Sequence, residues 1–408
     1  MKTFGKMLVA SIALLTANFA LAQTWTQTSA PLTWWGCVVS SADGKTLLAA
    51  ASQRVYTSTN SGATWVSNNV PEPGQQLING SLAISADGTK LIACGTYGTI
   101  YISTNSGAAW NEANGAAGVR VAASADGNKL VVTGGYGLYT STNSGATWTK
   151  IQTSVPAAYW LSIASSADGT KLVAASLSGG IYASTNSGVT WTQTGAPVTN
   201  WFSVASSADG NELIAAGTGL LCLSTNAGVT WTQADVPDCN WSSVASSTNG
   251  SRLVAGISSG GFDVPIFVST NSGATWAQPP FTDHSNNRTQ CTSVASSADG
   301  RSLVAAFVGG AGGSVYRYTL PPPPSPTVSI SLTNFLKQQN GPANYALVSW
   351  PSSATNFIVQ QSWNLSTADW TTVTNTPTLV TNLKAQTTNY QVIFPLTNSS
   401  GFYRLKTP

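Results

Sequence analysis

The octapeptide Ser-Thr-Asn-Ser-Gly-x-x-Trp occurs six times, and this repetition restricts the fold more than any other feature of the chain. The copies end at Trp65, Trp110, Trp148, Trp191, Trp231 (with Ala227 for the second serine) and Trp276, in steps of 45, 38, 43, 40 and 45 residues. A second motif, Ser-Ala-Asp-Gly, alternates with it, with the acid at Asp43, Asp87, Asp126, Asp168, Asp209 and Asp299, and with Asn249 in the remaining copy. In an all-β chain, a period of about 40 to 45 residues predicts propeller blades.

The two motifs differ in number, and the difference predicts a closed ring. After Asp299 the chain runs through a strand ending at Tyr318 and meets prolines where a seventh octapeptide should follow. The missing outer strand is supplied near the N-terminus, where Thr24-Trp25-Thr26-Gln27 matches Thr190-Trp191-Thr192-Gln193. We therefore expect an all-β fold in which residues 23–319 form a seven-bladed β-propeller closed by both termini, which pairs the otherwise exposed edges.

The octapeptide resembles the Asp-box, or BNR, repeat of sialidases and related propellers, whose pattern is Ser-x-Asp-x-Gly-x-x-Trp. Asparagine stands at the aspartate position in every copy, at Asn60, Asn105, Asn143, Asn186, Asn226 and Asn271. The resemblance covers residues 24–319 and implies a sialidase-like propeller in which the box has a structural role; it says little about function. The Arg-Ile-Pro motif of the sialidases is absent, and the chain after residue 22 has only seven arginines. We therefore expect a propeller that is not a sialidase.

Three further segments flank the ring. Lys2 and Lys6 precede an apolar run that ends before Gln23, which predicts a secretory signal peptide over residues 1–22 and a secreted, extracellular or cell-surface protein. Residues 320–327 form a proline-rich linker. Residues 328–408 alternate like the strands of a small β-sandwich and resemble a fibronectin-type-III-like module of bacterial exported proteins. We expect this module to serve cell-surface attachment or sorting, and the alternative is an inert spacer.

Composition excludes several classes of partner and cofactor. Charged residues make up 8% of the chain, and the formal charge of +3 falls to +1 without Lys2 and Lys6, so no basic surface for nucleic acid is indicated. No stretch is long and apolar enough for a transmembrane helix.

The single histidine, His284, rules out a multi-histidine metal site, and we expect neither metal nor cofactor. Five cysteines leave at least one thiol unpaired, and a bridge between Cys37 and Cys291 stays open.

Strand order predicts that both repeated turns lie on one face of the ring and that the irregular loops lie on the other, which we call the variable face. Two long loops, 260–265 and 279–290, bring unlike side chains to one sector of that face and make it a candidate ligand site. Its residues are Phe262, Asp263, Phe281, Asp283, His284 and Arg288. Asp235 and Asp238, with Asp283 and His284, are weak catalytic candidates, because neither a nucleophile nor a fixed carboxylate separation can be assigned. The alternative is that these are solvated loops.

Tryptophan recurs eight residues before the Asp or Asn of the second motif, at the start of the innermost strand. These residues are Trp35, Trp160, Trp201 and Trp241. They either pack between blades or offer rings to a ligand on the variable face, since an indole suits a half-buried position.

Three functions remain open. The first is an exported, non-enzymatic binding or scaffold protein whose variable face recognises a glycan or an extracellular protein. The second is a glycoside hydrolase or lyase that uses carboxylates on that face. The third is an assembly factor for a protein complex, because a similar box-bearing propeller family serves photosystem assembly.

Overall fold

The computed structural model describes residues 24–51, 54–68, 81–95, 97–134, 137–151, 159–177, 179–259, 265–281, 290–309 and 312–320, and seven strands between Ser329 and Lys406. The predicted signal peptide lies outside these residues. Across the described part of the chain the regular elements are all β-strands. No helix in that part has the length and hydropathy needed to cross a membrane.

The predicted seven-bladed β-propeller is confirmed. Its strands are β1 Thr26–Gln27, β2 Trp35–Ser40, β3 Leu47–Ala51, β4 Arg54–Ser58, β5 Val66–Asn68, β6 Ser81–Ile84, β7 Leu91–Cys94, β8 Ile100–Ser103, β9 Asn111–Ala113, β10 Arg120–Ala123, β11 Leu130–Gly134, β12 Gly137–Ser141, β13 Thr149–Lys150, β14 Tyr159–Ser165, β15 Leu172–Leu177, β16 Gly180–Ser184, β17 Thr192–Gln193, β18 Trp201–Ser206, β19 Leu213–Gly217, β20 Leu221–Ser224, β21 Thr232–Gln233, β22 Asn240–Ser246, β23 Leu253–Ser259, β24 Ile266–Ser269, β25 Gln290–Ser296, β26 Ser302–Val308 and β27 Val315–Thr319.

Each blade is an antiparallel meander whose first strand is innermost. Blades one to five are β2–β5, β6–β9, β10–β13, β14–β17 and β18–β21, and blade six is β22–β24 with an outer bridge between Val268 and Ala277. Blade seven has the order β25-β26-β27-β1, so both ends of the propeller sequence contribute to it. In this blade Thr26 is paired with Arg317 and Gln27 with Tyr316, as the unequal motif counts predict.

The turns of the second motif form a closed circle of backbone hydrogen bonds. The residue before each Asp or Asn donates its N–H to the carbonyl of the equivalent residue in the next blade, at 2.7 to 2.9 Å. The circle runs through Ala42, Ala86, Ala125, Ala167, Ala208, Thr248 and Ala298 and returns to Ala42. Seven bonds therefore join seven blades on the face that carries the repeated turns.

The octapeptide turns need two successive residues in the left-handed region. The second serine of the motif, or Ala227, has φ between 55° and 57°, and the glycine after it has φ between 82° and 91°. Side chains stabilise this geometry: the Ser58 hydroxyl donates to Asn60 Oδ1 at 3.0 Å, and the same oxygen accepts the Thr64 N–H at 2.8 Å. Asn60 Nδ2 also donates to the Thr64 hydroxyl. A neutral amide therefore makes the bonds that hold this turn.

The hydrophobic core is divided among the seven interfaces between blades. Trp201, for example, contacts a cluster that contains Val173, Ala175 and Ile181 of blade four as well as residues of its own blade. Small alanines in the central strands allow the sheets to approach closely. Burial is therefore greatest where one blade packs on the next.

The chain divides after Leu320 into two compact units. The second unit contains β28 Ser329–Thr333, β29 Tyr345–Pro351, β30 Ile358–Ser362, β31 Thr371–Thr372, β32 Thr378–Asn382, β33 Thr387–Pro395 and β34 Phe402–Lys406. These strands form two antiparallel sheets with orders β28-β29-β33-β32 and β31-β30-β34.

Candidate functional site at the centre of the ring

A cavity of about 450 Å³ lies at the centre of the ring and is lined by all seven innermost strands. Each strand contributes the residue six positions before the Asp or Asn of the second motif. These residues are Cys37, Ser81, Arg120, Ser162, Ser203, Ser243 and Ser293. They lie near the start of each innermost strand, which is its end on the variable face.

The five serines of this circle join neighbouring blades. Each hydroxyl accepts the backbone N–H of a valine in the innermost strand of the next blade, at 3.1 to 3.3 Å; the valines are Val38, Val121, Val204, Val244 and Val294. A hydroxyl has lone pairs for this bond and retains a proton that it can donate. The serines therefore have a structural role, and they also make the cavity wall polar.

Arg120 is the exception in this circle. Its Nε donates to the Leu161 carbonyl at 2.6 Å, which connects blade three to blade four, and its Nη1 donates to the Val119 carbonyl at 2.9 Å. Burial lowers the pKa of the Arg120 guanidinium from its usual value, although arginine stays charged in proteins. Among the described residues that line the cavity, it is the only ionised side chain.

A second cavity of about 450 Å³ adjoins the first and shares five residues with it, Arg120, Leu161, Phe202, Ser242 and Ser258. The Leu161 and Phe202 side chains are half-buried. The site thus combines one cation, several hydroxyl groups and apolar side chains. Cavities of 300 to about 1,000 Å³ have the size of small-ligand sites.

Exposed aromatic side chains lie around the variable face. In the described part of the chain, the exposed aromatic residues are Trp34, Tyr97 and Tyr159, with 62%, 73% and 65% of their surface accessible. Trp34 immediately precedes β2, Tyr97 lies in the turn between β7 and β8, and Tyr159 begins β14, so all three are at the variable-face ends of strands. Tyr159 is paired across the sheet with Leu177, which is also exposed.

The four predicted tryptophans lie in the core. Trp35, Trp201 and Trp241 have no accessible surface, and Trp160 has 4%. Each belongs to a cluster that includes residues of the preceding blade. Three of them make edge-to-face contacts within their own blade, with Tyr56, Tyr182 and Phe267. The packing alternative therefore accounts for these residues, and their rings have no face open to a ligand.

The predicted loop sector is described only in part. Phe262, Asp263, Asp283, His284 and Arg288 lie outside the described residues, so their role stays a prediction. Phe281 is described and is buried against Trp25, with ring centroids 5.8 Å apart, so it belongs to the core.

Asp235 and Asp238 are the catalytic candidates that the structure describes, and their pairing with Asp283 or His284 stays a prediction because those two residues lie outside the described part of the chain. Asp235 and Asp238 are exposed in the connection between blades five and six, and neither lines the central cavity. In the same part of the chain, no group of three or more His, Cys, Asp and Glu residues is arranged to hold a metal ion.

Two signals in the sequence could have indicated the central site. Arg120 interrupts an otherwise uniform series of small residues at one repeat position. Trp34 and Tyr159 each directly precede one of the buried tryptophans, and neighbouring side chains on a strand point to opposite sides. The strand period therefore predicts that the residue before a buried indole is the one that faces outward.

All five cysteines are free thiols, so the bridge between Cys37 and Cys291 is not formed. Burial raises the pKa of Cys94 to about 12 and those of Cys222 and Cys239 to about 11. Because the thiolate is the reactive form, these groups are unreactive at neutral pH.

The aspartates of the second motif serve the turns. In each case a serine hydroxyl and a backbone N–H donate to the carboxylate; Asp43 Oδ1 accepts from the Ser41 hydroxyl at 2.7 Å and from the Lys45 N–H at 2.9 Å. Hydrogen bonds from Ser124, Ser166 and Ser207, followed by backbone N–H groups, lower the pKa values of Asp126, Asp168 and Asp209 to about 2. Donors that favour the ionised form account for this direction.

We expect these three carboxylates to make the ring sensitive to acid. Their folded pKa values lie below the unfolded value, so their contribution to stability is complete above about pH 4 and is lost as the pH falls towards about 2. In thermal melts over this range, a triple Asp126→Asn, Asp168→Asn, Asp209→Asn variant should lose less stability than the wild type. Asn249 already occupies the equivalent turn in blade six.

The matched control replaces the exposed Asp235 and Asp238 with asparagine and should keep the wild-type acid response. An equally steep loss of stability in the triple variant would show that the turn carboxylates are not responsible.

Comparison with known proteins supports the propeller architecture but does not assign the chain to a family. No family model matches the chain, and no curated protein matches it. The structure of the RRP9 WD40 repeats is 14% identical with a TM-score of 0.57, covering 74% of this chain and 99% of that one. U3-55K is 14% identical with a TM-score of 0.56 over the same shares, and YCF48 from Cyanidioschyzon merolae is 13% identical with a TM-score of 0.57, covering 72% and 99%. At such identities the likeness shows the propeller fold alone.

Proposed function

We propose that this chain is an exported, non-enzymatic binding or scaffold protein that holds an extracellular polypeptide on its variable face. A propeller is suited to binding or scaffolding, because a rigid ring supports loops and strand ends of different sequence. The observation that carries the proposal is the position of the exposed aromatics Trp34, Tyr97 and Tyr159 around the variable face. Aromatic side chains are enriched at protein interfaces because they combine a large apolar surface with a polar group.

The polarity of the central site supports a polypeptide partner. Serine hydroxyls, the Asn240 amide and backbone groups offer both donors and acceptors, and Phe202 and Leu161 offer apolar contact. Export is supported by the signal-peptide pattern. A neutral or acidic glycan is the competing ligand class.

The proposal also covers the origin of the repeats and the role of the second unit. The octapeptide turns have a structural role of the kind that the Asp-box has, which supports a distant relationship to that repeat. The two sheets of the second unit support a sandwich module of the fibronectin type III kind, whose use would be attachment to a cell surface or a larger assembly.

The test measures binding of the full mature chain to an array of dodecapeptides and to an array of neutral and acidic glycans. We expect peptide binding that weakens about tenfold or more in a Trp34→Ser, Tyr159→Ser double variant, since interface aromatics are often hot spots. The control is a Val189→Ser, Val229→Ser double variant, because these side chains are equally exposed but lie in the octapeptide turns on the opposite face.

Binding to glycans alone would replace the polypeptide with a sugar ligand. Equal weakening in both double variants would overturn the assignment to the variable face.

A further inference from the structure

Arg120 differs from the residues at the same repeat position in the other blades, and the hydrogen bonds between neighbouring blades do not require an arginine there. At five of the seven joints a serine hydroxyl at this position connects the blades. Arg120 makes its joint through the Leu161 carbonyl, so a long charged side chain occupies a place where a small neutral one serves elsewhere. The additional property that arginine brings is its positive charge.

That charge lies where a ligand would meet it. Arg120 lines both central cavities and is the only ionised side chain among their described lining residues. Two backbone carbonyls, of Leu161 and Val119, hold its orientation. A guanidinium held in this way loses little side-chain entropy when it binds, and its positive charge complements a carboxylate.

The shape of the cavity favours binding of a polypeptide terminus over binding of an internal segment of a polypeptide. The innermost strands of all seven blades surround the cavity, so a ligand enters along the axis of the ring. A polypeptide terminus needs one passage for one chain, whereas an internal loop needs room for two. The C-terminus also brings the anionic group that complements a cation, while Leu161 and Phe202 border the same space.

We propose that the central site binds the C-terminal carboxylate of an extended polypeptide, with Arg120 as the residue that selects for the charge. This inference rests on the proposed function, because it specifies the ligand of the same face. The serines of the circle then contact the last residues of the bound chain, and Phe202 and Leu161 contact an apolar side chain near its end.

The probe is an equimolar library of tetrapeptides, tethered by the N-terminus and prepared as free acids and as C-terminal amides. A third set carries a final aspartate on an amidated end, which provides a carboxylate from a side chain. For the full mature chain we expect the free acids to bind about tenfold or more tightly than the amides, in the range of a charge-assisted contact. Raising the salt concentration should reduce this ratio.

Arg120→Ser is the decisive variant, because it restores the residue found at the other joints while removing the charge. We expect it to keep a wild-type thermal midpoint and to bind acids and amides equally, whereas Arg120→Lys should retain part of the preference. Arg317→Ser is the control, because it removes the same charge from an exposed position on β27 that does not line the central cavities, and it should keep the preference for acids. If Arg120→Ser does not fold, the acid-to-amide ratio of the wild type and its salt dependence still decide the question.

Equal binding of free acids and amides by the wild type would overturn this inference and leave the proposed function intact. A preference for free acids that survives in Arg120→Ser would have the same consequence. Equal binding of the aspartate amides and the free acids would show that the carboxylate belongs to a side chain. Absence of binding by every peptide set would overturn the proposed function itself.

Discussion

Replacing Trp25 with alanine is expected to destabilise the ring by about 3–5 kcal/mol, as for other buried tryptophans. Trp25 has no accessible surface, and its ring lies against Phe281 and Tyr318 at centroid distances of 5.8 and 5.3 Å. Its backbone N–H donates to the Pro280 carbonyl at 2.8 Å, and this bond between blade seven and the chain that follows blade six remains in the variant, so the expected loss comes from the side chain. For a domain of this size, the thermal midpoint should fall by several degrees or more.

Trp34→Ala is the matched control, since it removes the same side chain from an exposed position nine residues away. Circular dichroism melts of both variants should show a large shift for Trp25 and a small one for Trp34. Shifts of equal size would mean that closure by the N-terminal strand contributes little to stability.

The second large effect is expected at Trp201. Its indole is fully buried against Val173 and Ile181 of blade four, and its Nε1 donates to the Pro197 carbonyl at 3.0 Å. Trp201→Ala should therefore lower the free energy of unfolding by about 3–5 kcal/mol, through a cavity and an unpaired carbonyl.

The neighbouring Phe202 provides the contrast, because it points to the other side of the strand and borders the central cavity. Phe202→Ala should change the free energy of unfolding less and weaken peptide binding more than Trp201→Ala does. Denaturant titration and the peptide array measure the two quantities separately. A stable Trp201→Ala variant with a selective loss of binding would restore the stacking role for the indole.

The repeat made the fold predictable because the same turn chemistry recurs at a fixed period. The seventh blade followed from a mismatch in motif number, which Trp25 and its neighbours resolve by pairing with β27. The octapeptide also located the turn between the third and fourth strands of a blade, since its second serine and its glycine adopt left-handed backbone angles.

The site was less predictable because sequence alone does not show which side of a strand meets the next blade. Trp35 was an expected ligand contact, yet it packs on blade seven, while Trp34 beside it is exposed. Arg120 was not predicted because the repeat alignment, in which it stands among small residues, does not show that this position lines the central cavity. Asp283 and His284 stay predictions.

The circle of seven backbone bonds has a consequence for how this repeat array can change over generations. Nearly identical repeats favour the gain or loss of whole copies when genes recombine, and in an open solenoid such changes are tolerated because each unit contacts only its neighbours. Here every turn donates one bond and accepts one, from Ala42 around to Ala298 and back. Adding or removing a blade would change the angle between all neighbouring blades from about 51° and would alter the geometry of every hydrogen bond in the circle. The closed circle therefore favours a chain with seven copies of the repeat.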